Sequence, residues 1–117
     1  MKILKTYQEL LENYKLSDLS VGDYLILKSP EHIPGFSKNQ YTVSEYFFSH
    51  NIGTITKIEG GDIYVKFHNA PTQISRYLFN ENNEITAELS DILYQDSDVD
   101  SLWKTLDLIK IKNKYKI

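Results

Sequence analysis

Asp96, Asp98 and Asp100 stand at alternate positions, the spacing with which a calcium-binding loop begins. In such a loop, carboxylates at positions one, three and five converge on a hard cation, and glycine at position six makes the sharp turn. Here position six is Ser101. Val99, Leu102, Trp103, Leu106 and Ile109 already keep helical spacing from this point. The three acids therefore read as a helix start, where negative charge meets the positive end of the macrodipole. The histidines His32, His50 and His68 have no second ligand at a zinc-site spacing. With no cysteine in the chain there is no thiolate nucleophile or thiolate ligand. Gly60-Gly61 lacks the helix and lysine that follow a phosphate-binding glycine loop, and no Gly-x-Ser-x-Gly elbow occurs. No catalytic residue, metal or cofactor is expected.

Contact chemistry is better represented. Phe36, Tyr41, Tyr46, Phe47 and Phe48 crowd one stretch, and rings of this kind dominate interfaces when they stay exposed. The alternative is that the stretch folds back and packs them as a satellite core. Net charge is −3, but lysines at 110, 112, 114 and 116 leave −7 on residues 1–109. Tyr77 to Trp103 holds no Lys or Arg and seven acids, among them Glu88, Asp91, Asp96, Asp98 and Asp100. An acidic body repels phosphate backbones and favours basic partners. The candidate partner-binding residues are those five aromatics together with these five acids.

These residues must be positioned by a small set of elements. Thr6-x-x-Glu9 is a capping-box pattern, and Tyr7, Leu10, Leu11 and Tyr14 form one stripe of a helix over about 7–15. Val21–Lys28 is rich in strand formers and reads as a strand buried on much of both faces. Residues 29–51 make a long connection that holds its own structure, a short helix starting at Thr42-x-x-Glu45 and ending near Asn51. Ile52–Ile58 and Asp62–Phe67 alternate as strands about the Gly60-Gly61 turn. Ile74–Phe79 is expected as a fourth strand, followed by an Asn-rich turn and short strands at Glu84–Glu88 and Ile92–Tyr94. A helix is expected over roughly 98–109. The alternating lysine tail is either an edge strand or a frayed basic end.

At 117 residues, with 41% hydrophobic and 25% charged composition, the chain is expected to form one globular domain. No apolar run is long enough to span a bilayer, no signal peptide is read, and the cytoplasm is the expected compartment. The expected fold is α+β: a small antiparallel β-barrel over 20–95, with the helix-bearing loop at 29–51. An N-terminal helix in 1–19 and a C-terminal helix and basic tail in 96–117 flank it.

Val21-Gly22-Asp23-Tyr24, the long loop, Ile52-Gly53-Thr54-Ile55 and Tyr64-Val65-Lys66-Phe67 resemble the opening strands of SH3-like small barrels, over roughly residues 20–90. Such barrels host unrelated tasks, so this resemblance implies a fold. Lys5-Thr6-Tyr7-Gln8-Glu9-Leu10 resembles the capsid-targeting segment of internal head proteins of large tailed phages, preceded here by Met1–Leu4. That resemblance implies an accessory protein of a phage or mobile element, acting in the host cell cytoplasm. The combined expectation is a non-catalytic protein-binding module, an anti-CRISPR-like inhibitor of a host nucleic-acid-handling defence protein. Its partner would be basic, and direct nucleic-acid binding is not expected to be its role. The alternatives are a sequence-tolerant nucleic-acid-binding barrel, using Lys57, Lys66, Arg76 and the tail, and a virion accessory protein.

Overall fold

The structure, a computed structural model, describes residues 16–31 and 33–115, the last three as backbone. The N-terminal helix expected over 7–15 lies outside the described residues. The elements run β1 (Tyr24–Leu27), α1 (Lys38–His50), β2 (Gly53–Glu59), β3 (Asp62–Lys66), α2 (Thr72–Leu78), β4 (Glu84–Ala87), β5 (Ile92–Asp96) and α3 (Val99–Tyr115). One antiparallel sheet of five strands has the order β4-β3-β2-β1-β5. The fold is α+β, and the sheet is open: no pairing joins β4 to β5 among the described residues.

The hairpin forms where local chemistry demands it. Gly60 and Gly61 take φ of 58° and 91°, so both central turn positions use the left-handed region that glycine enters without a Cβ penalty. β1 is buried on both faces, as its apolar run requires. Leu25 and Leu27 join a core that also holds Ile55, Val65 and Phe67, whereas Ile26 joins Leu102 and Leu106 of α3. Successive strand side chains point to opposite faces. Helices α1 and α2 therefore cover one face of the sheet and α3 covers the other along β1 and β5.

Three elements differ from the sequence reading. Ile74–Phe79 is not a strand but most of helix α2. Helical spacing buries Ile74 and half-buries Leu78 on one side while Arg76 stays exposed, whereas strand alternation would put all three on one face. Pro71 precedes the helix with φ −59°, and its carbonyl accepts from Ile74 and Ser75 N–H to close the first turn. Helix α1 begins four residues before Thr42, at a capping box built by Ser37 and Gln40. Thr42 is then mid-helix, its hydroxyl donating to the Lys38 carbonyl at 3.1 Å. Helix α3 runs six residues past 109, so the alternating lysines at 110, 112 and 114 lie on a helix and not on an edge strand. Cations in the last turns of a helix sit favourably at the negative end of its dipole.

The aromatic insertion folds back onto the sheet. Phe47 and Phe48 pack with Phe67 and Phe79, ring centroids 5.3 to 6.2 Å apart. Both rings belong to the core, so neither is available as an exposed anchor. Ser44 is the fully buried polar side chain of α1, and its hydroxyl lies 3.2 Å from that of Ser29.

Candidate functional site

Beside β4 lies a cleft of about 490 Å³, in the size range of ligand pockets. The end of β1 (Leu27, Lys28) and Asp91 border one side, and β4 borders the other. The last turn of α2 and its exit (Tyr77, Leu78, Phe79) contribute a third wall, with Ile33 of the long connection beside it. Tyr77 stands 61% exposed and meets the edge of Phe36 at 5.9 Å between centroids. Phe36 in turn packs on Tyr41 at 5.3 Å. Tyr41 is held by its hydroxyl, which accepts from Ile33 N–H and donates to Ile33 O. This chain of rings ties the 33–36 segment to α1 and gives the cleft a fixed aromatic lip.

The wall at β4 is an unpaired sheet edge with both ends occupied. Phe67 N–H donates to Asn83 O, and the register pairs Ile63 with Ala87 and Val65 with Ile85. Residues 83, 85 and 87 therefore bond to β3, and the backbone of Glu84 and Thr86 points away from it. Asn80 takes up Glu84: its Oδ1 accepts from Glu84 N–H and its own N–H donates to Glu84 O, both at 2.9 Å. Beyond the strand, Glu88 N–H donates to Asp91 Oδ2 and Glu88 O accepts from Asp91 N–H. Thr86 is left between these two closures, with no backbone partner on its outward side among the described residues.

Glu84 carries the electrostatics of this edge. Thr56 Oγ1 donates to Glu84 Oε2, and Asn80 Nδ2 donates to Oε1 at 3.0 Å. These two bonds hold its carboxyl below the usual carboxylate range, against partial burial, with weaker help from Lys66 and Lys57. A lowered carboxylate contributes stability above the unfolded-state value and loses it as pH falls through the folded one. Wild-type protein is thus expected to lose melting temperature below about pH 4, and Glu84→Gln to flatten part of that acid limb. Thermal melts from pH 3 to 6 check this. Parallel curves for the two proteins would show that the Glu84 bonds contribute nothing to folding.

The five acids read from the sequence are brought to two places. Glu88 and Asp91 form a reciprocal cap around the 3₁₀ turn Leu89–Asp91, at the start of β5. Asp96, Asp98 and Asp100 lie at its other end, about 16 Å away along the strand. Asp96 Oδ1 accepts from Asp98 N–H, and Asp98 Oδ1 accepts from Asp100 N–H as the cap of α3. Four of the five are therefore employed in local backbone bonding, with Asp100 exposed in the first turn of α3. Asp98→Ala is expected to cost about 1 kcal/mol through the lost cap, read as a lower urea midpoint. An unchanged midpoint would leave Asp98 as a purely surface charge.

Of the five aromatics, Tyr46 is the one fully at the surface, 66% exposed and stacked on His50 at 3.9 Å. His32 lies outside the described residues. No group of three His, Asp or Glu side chains among the described residues is placed to hold a metal ion. No described helix is long and apolar enough to cross a membrane. Tyr77, Glu84 and Thr86 of the cleft were not singled out by sequence reasoning. Reading 74–79 as a strand hid Tyr77, for which the available signal was Pro71 ahead of the Ile74/Leu78 spacing, whereas Glu84 and Thr86 fell in an expected strand whose outward edge only the register with β3 defines.

No protein-family profile, curated protein or solved structure matches this chain.

Proposed function

We propose that the chain is a non-catalytic protein-binding module that engages its partner at the cleft between β4 and the end of β1. The observation that carries this reading is the cleft itself. Apolar walls, an exposed tyrosine lip and an unpaired strand edge meet at one place, as they do where a domain receives a segment of another protein. Its β4 wall lies inside the Tyr77–Trp103 span that has no Lys or Arg, which favours a basic partner. We read the sheet as an open SH3-like small barrel. In support, β1, β2, β3 and β4 are consecutive neighbours and β5 returns to pair with β1, so joining β4 to β5 would close it.

The partner we propose is a basic, nucleic-acid-handling host protein, inhibited in the host cytoplasm in the manner of anti-CRISPR proteins. The phage or mobile-element source rests on the Lys5–Leu10 resemblance, and the choice of target on the acid-only span. Direct nucleic-acid binding by the exposed sheet face is disfavoured by its charge balance. Lys57 pairs with Glu59 at 2.9 Å, and Lys66 stands opposite Glu84 in the strand register.

Affinity purification with the full chain and its Tyr77→Ala variant, at low and moderate salt, tests the reading. One host protein held in a salt-sensitive complex is expected, with at least tenfold weaker capture by Tyr77→Ala, because truncating an interface tyrosine anchor costs about 2 kcal/mol or more. Recovery of nucleic acid without protein, or capture indifferent to Tyr77, would overturn it.

A further inference from the structure

We infer that the β4 edge selects a partner segment of the form apolar–basic–apolar, registered by a single backbone pair at Thr86. This inference rests on the protein-binding reading of the cleft. Asn80 occupies Glu84 on one side and Asp91 occupies Glu88 on the other, so among the described residues a guest strand meets one free N–H and one free C=O. A guest residue placed opposite Thr86 exchanges both hydrogen bonds with it, in the manner of an antiparallel hydrogen-bonded pair. The two closures prevent longer pairing and fix which guest residue sits there.

Register then dictates side-chain chemistry. The central guest side chain projects on the same face as Thr86, where Glu84 and Glu88 are its diagonal neighbours, two residues to either side. Glu88 keeps extended backbone, φ −110° and ψ 167°, so the alternation holds through it. Diagonal neighbours stand roughly 7–8 Å apart, a distance that arginine and lysine side chains span. The guest residues before and after point to the opposite face, that of Ile85 and Ala87, toward the apolar lining given by Leu27, Leu78 and Phe79. The charged groups lining the cleft are Glu84, Asp91 and one cation, Lys28, so the balance favours a basic guest. An acidic residue at the centre would face two glutamates.

The test uses the full ¹⁵N-labelled chain and the blocked heptapeptide Ser-Gly-Leu-Arg-Leu-Gly-Ser, with a second peptide in which Glu replaces Arg. The arginine peptide is expected to bind saturably below about 1 mM. Thr86 N–H should show one of the largest shifts and exchange with solvent at least tenfold more slowly at saturation. The glutamate peptide should bind at least tenfold more weakly, and Glu84→Gln should weaken the arginine peptide about threefold. Thr86→Pro should abolish binding while leaving the sheet intact, because proline is tolerated on an edge strand where the lost N–H faces outward. Equal binding of both peptides, or no saturable shift, would overturn the inference. So would a Thr86 amide already protected in the free protein, the signature of residues 1–15 or a second copy lying on the edge. Concentration dependence of that protection separates the two. A captured host protein indifferent to Thr86→Pro would refute this edge while sparing the module. Peptide binding with no captured protein would do the reverse.

Discussion

Replacing Phe48 with Ala is expected to cost about 3–5 kcal/mol, a large part of the roughly 5–15 kcal/mol that holds a domain folded. Phe48 is 1% exposed. Its ring stands edge-on to Phe47 and Phe67, at 5.3 and 5.4 Å, and lies parallel to Phe79 at 6.2 Å. Truncation removes the transfer energy of the ring and leaves a void that α1, β3 and the end of α2 cannot all close upon, since each is held by its own hydrogen bonds. The aromatic pairs contribute about 0.5–1.5 kcal/mol each beyond their buried area. Urea unfolding should show a lowered midpoint with an unchanged slope. The exposed Tyr46→Ala control should stay within about 0.5 kcal/mol of wild type. A Phe48→Ala cost below about 1 kcal/mol would mean that α1 does not complete the core.

The second large effect is expected at Gly53, and its cause is space. A Cβ added there would meet Val65 Cγ1 at 2.3 Å and two carbons of the Phe67 ring at 2.8 and 2.9 Å. Val65 and Phe67 are 0% and 1% exposed, so neither side chain has a vacant place to move into. Gly53 opens β2 opposite Leu25. Relief of the clash would therefore have to separate β2 from β3, at the centre of the sheet. Overpacking typically costs about 1–3 kcal/mol, and Gly53→Ala is expected at or above the top of that range. The hairpin glycine Gly60 gives the contrast: an added Cβ meets nothing within 4 Å there, and the penalty would come only from φ of 58°. A Gly53→Ala protein as stable as wild type in urea would show that the sheet has slack at its centre.

How far the chain could be read from its residues depended on how local the deciding interaction was. The β2–β3 hairpin was legible because two adjacent glycines and alternation on each side are contained within about fifteen residues. The burial of β1 on both faces was legible in its unbroken apolar run. Helix α2 was misread because its seven residues include Ile, Tyr and Leu, and Phe follows at its exit. Ile, Tyr and Phe favour strands, and so short a run fits two periods. For α1, both Ser37-x-x-Gln40 and Thr42-x-x-Glu45 match a capping box. The earlier one starts the helix, and Tyr41 of its first turn anchors to the backbone of Ile33.

Residue types and their spacing by themselves determined an α+β chain, its central hairpin, its doubly buried first strand, and a charge distribution poorer in cations between Tyr77 and Trp103 than anywhere else. Those properties follow from interactions between neighbours a few residues apart. Only the tertiary structure decided that Phe47 and Phe48 are core, that the five acids separate to opposite ends of β5, and that the sheet stays open with a cleft beside β4. That cleft draws its walls from Leu27, Lys28, Pro30 and Ile33, from 77–80, and from 84–87 with Asp91. Which backbone groups face it depends on the pairing register of β4 with β3. A shift of one residue would turn Thr86 toward β3 and expose a different edge, and register is set by the side chains that a completed core will accept.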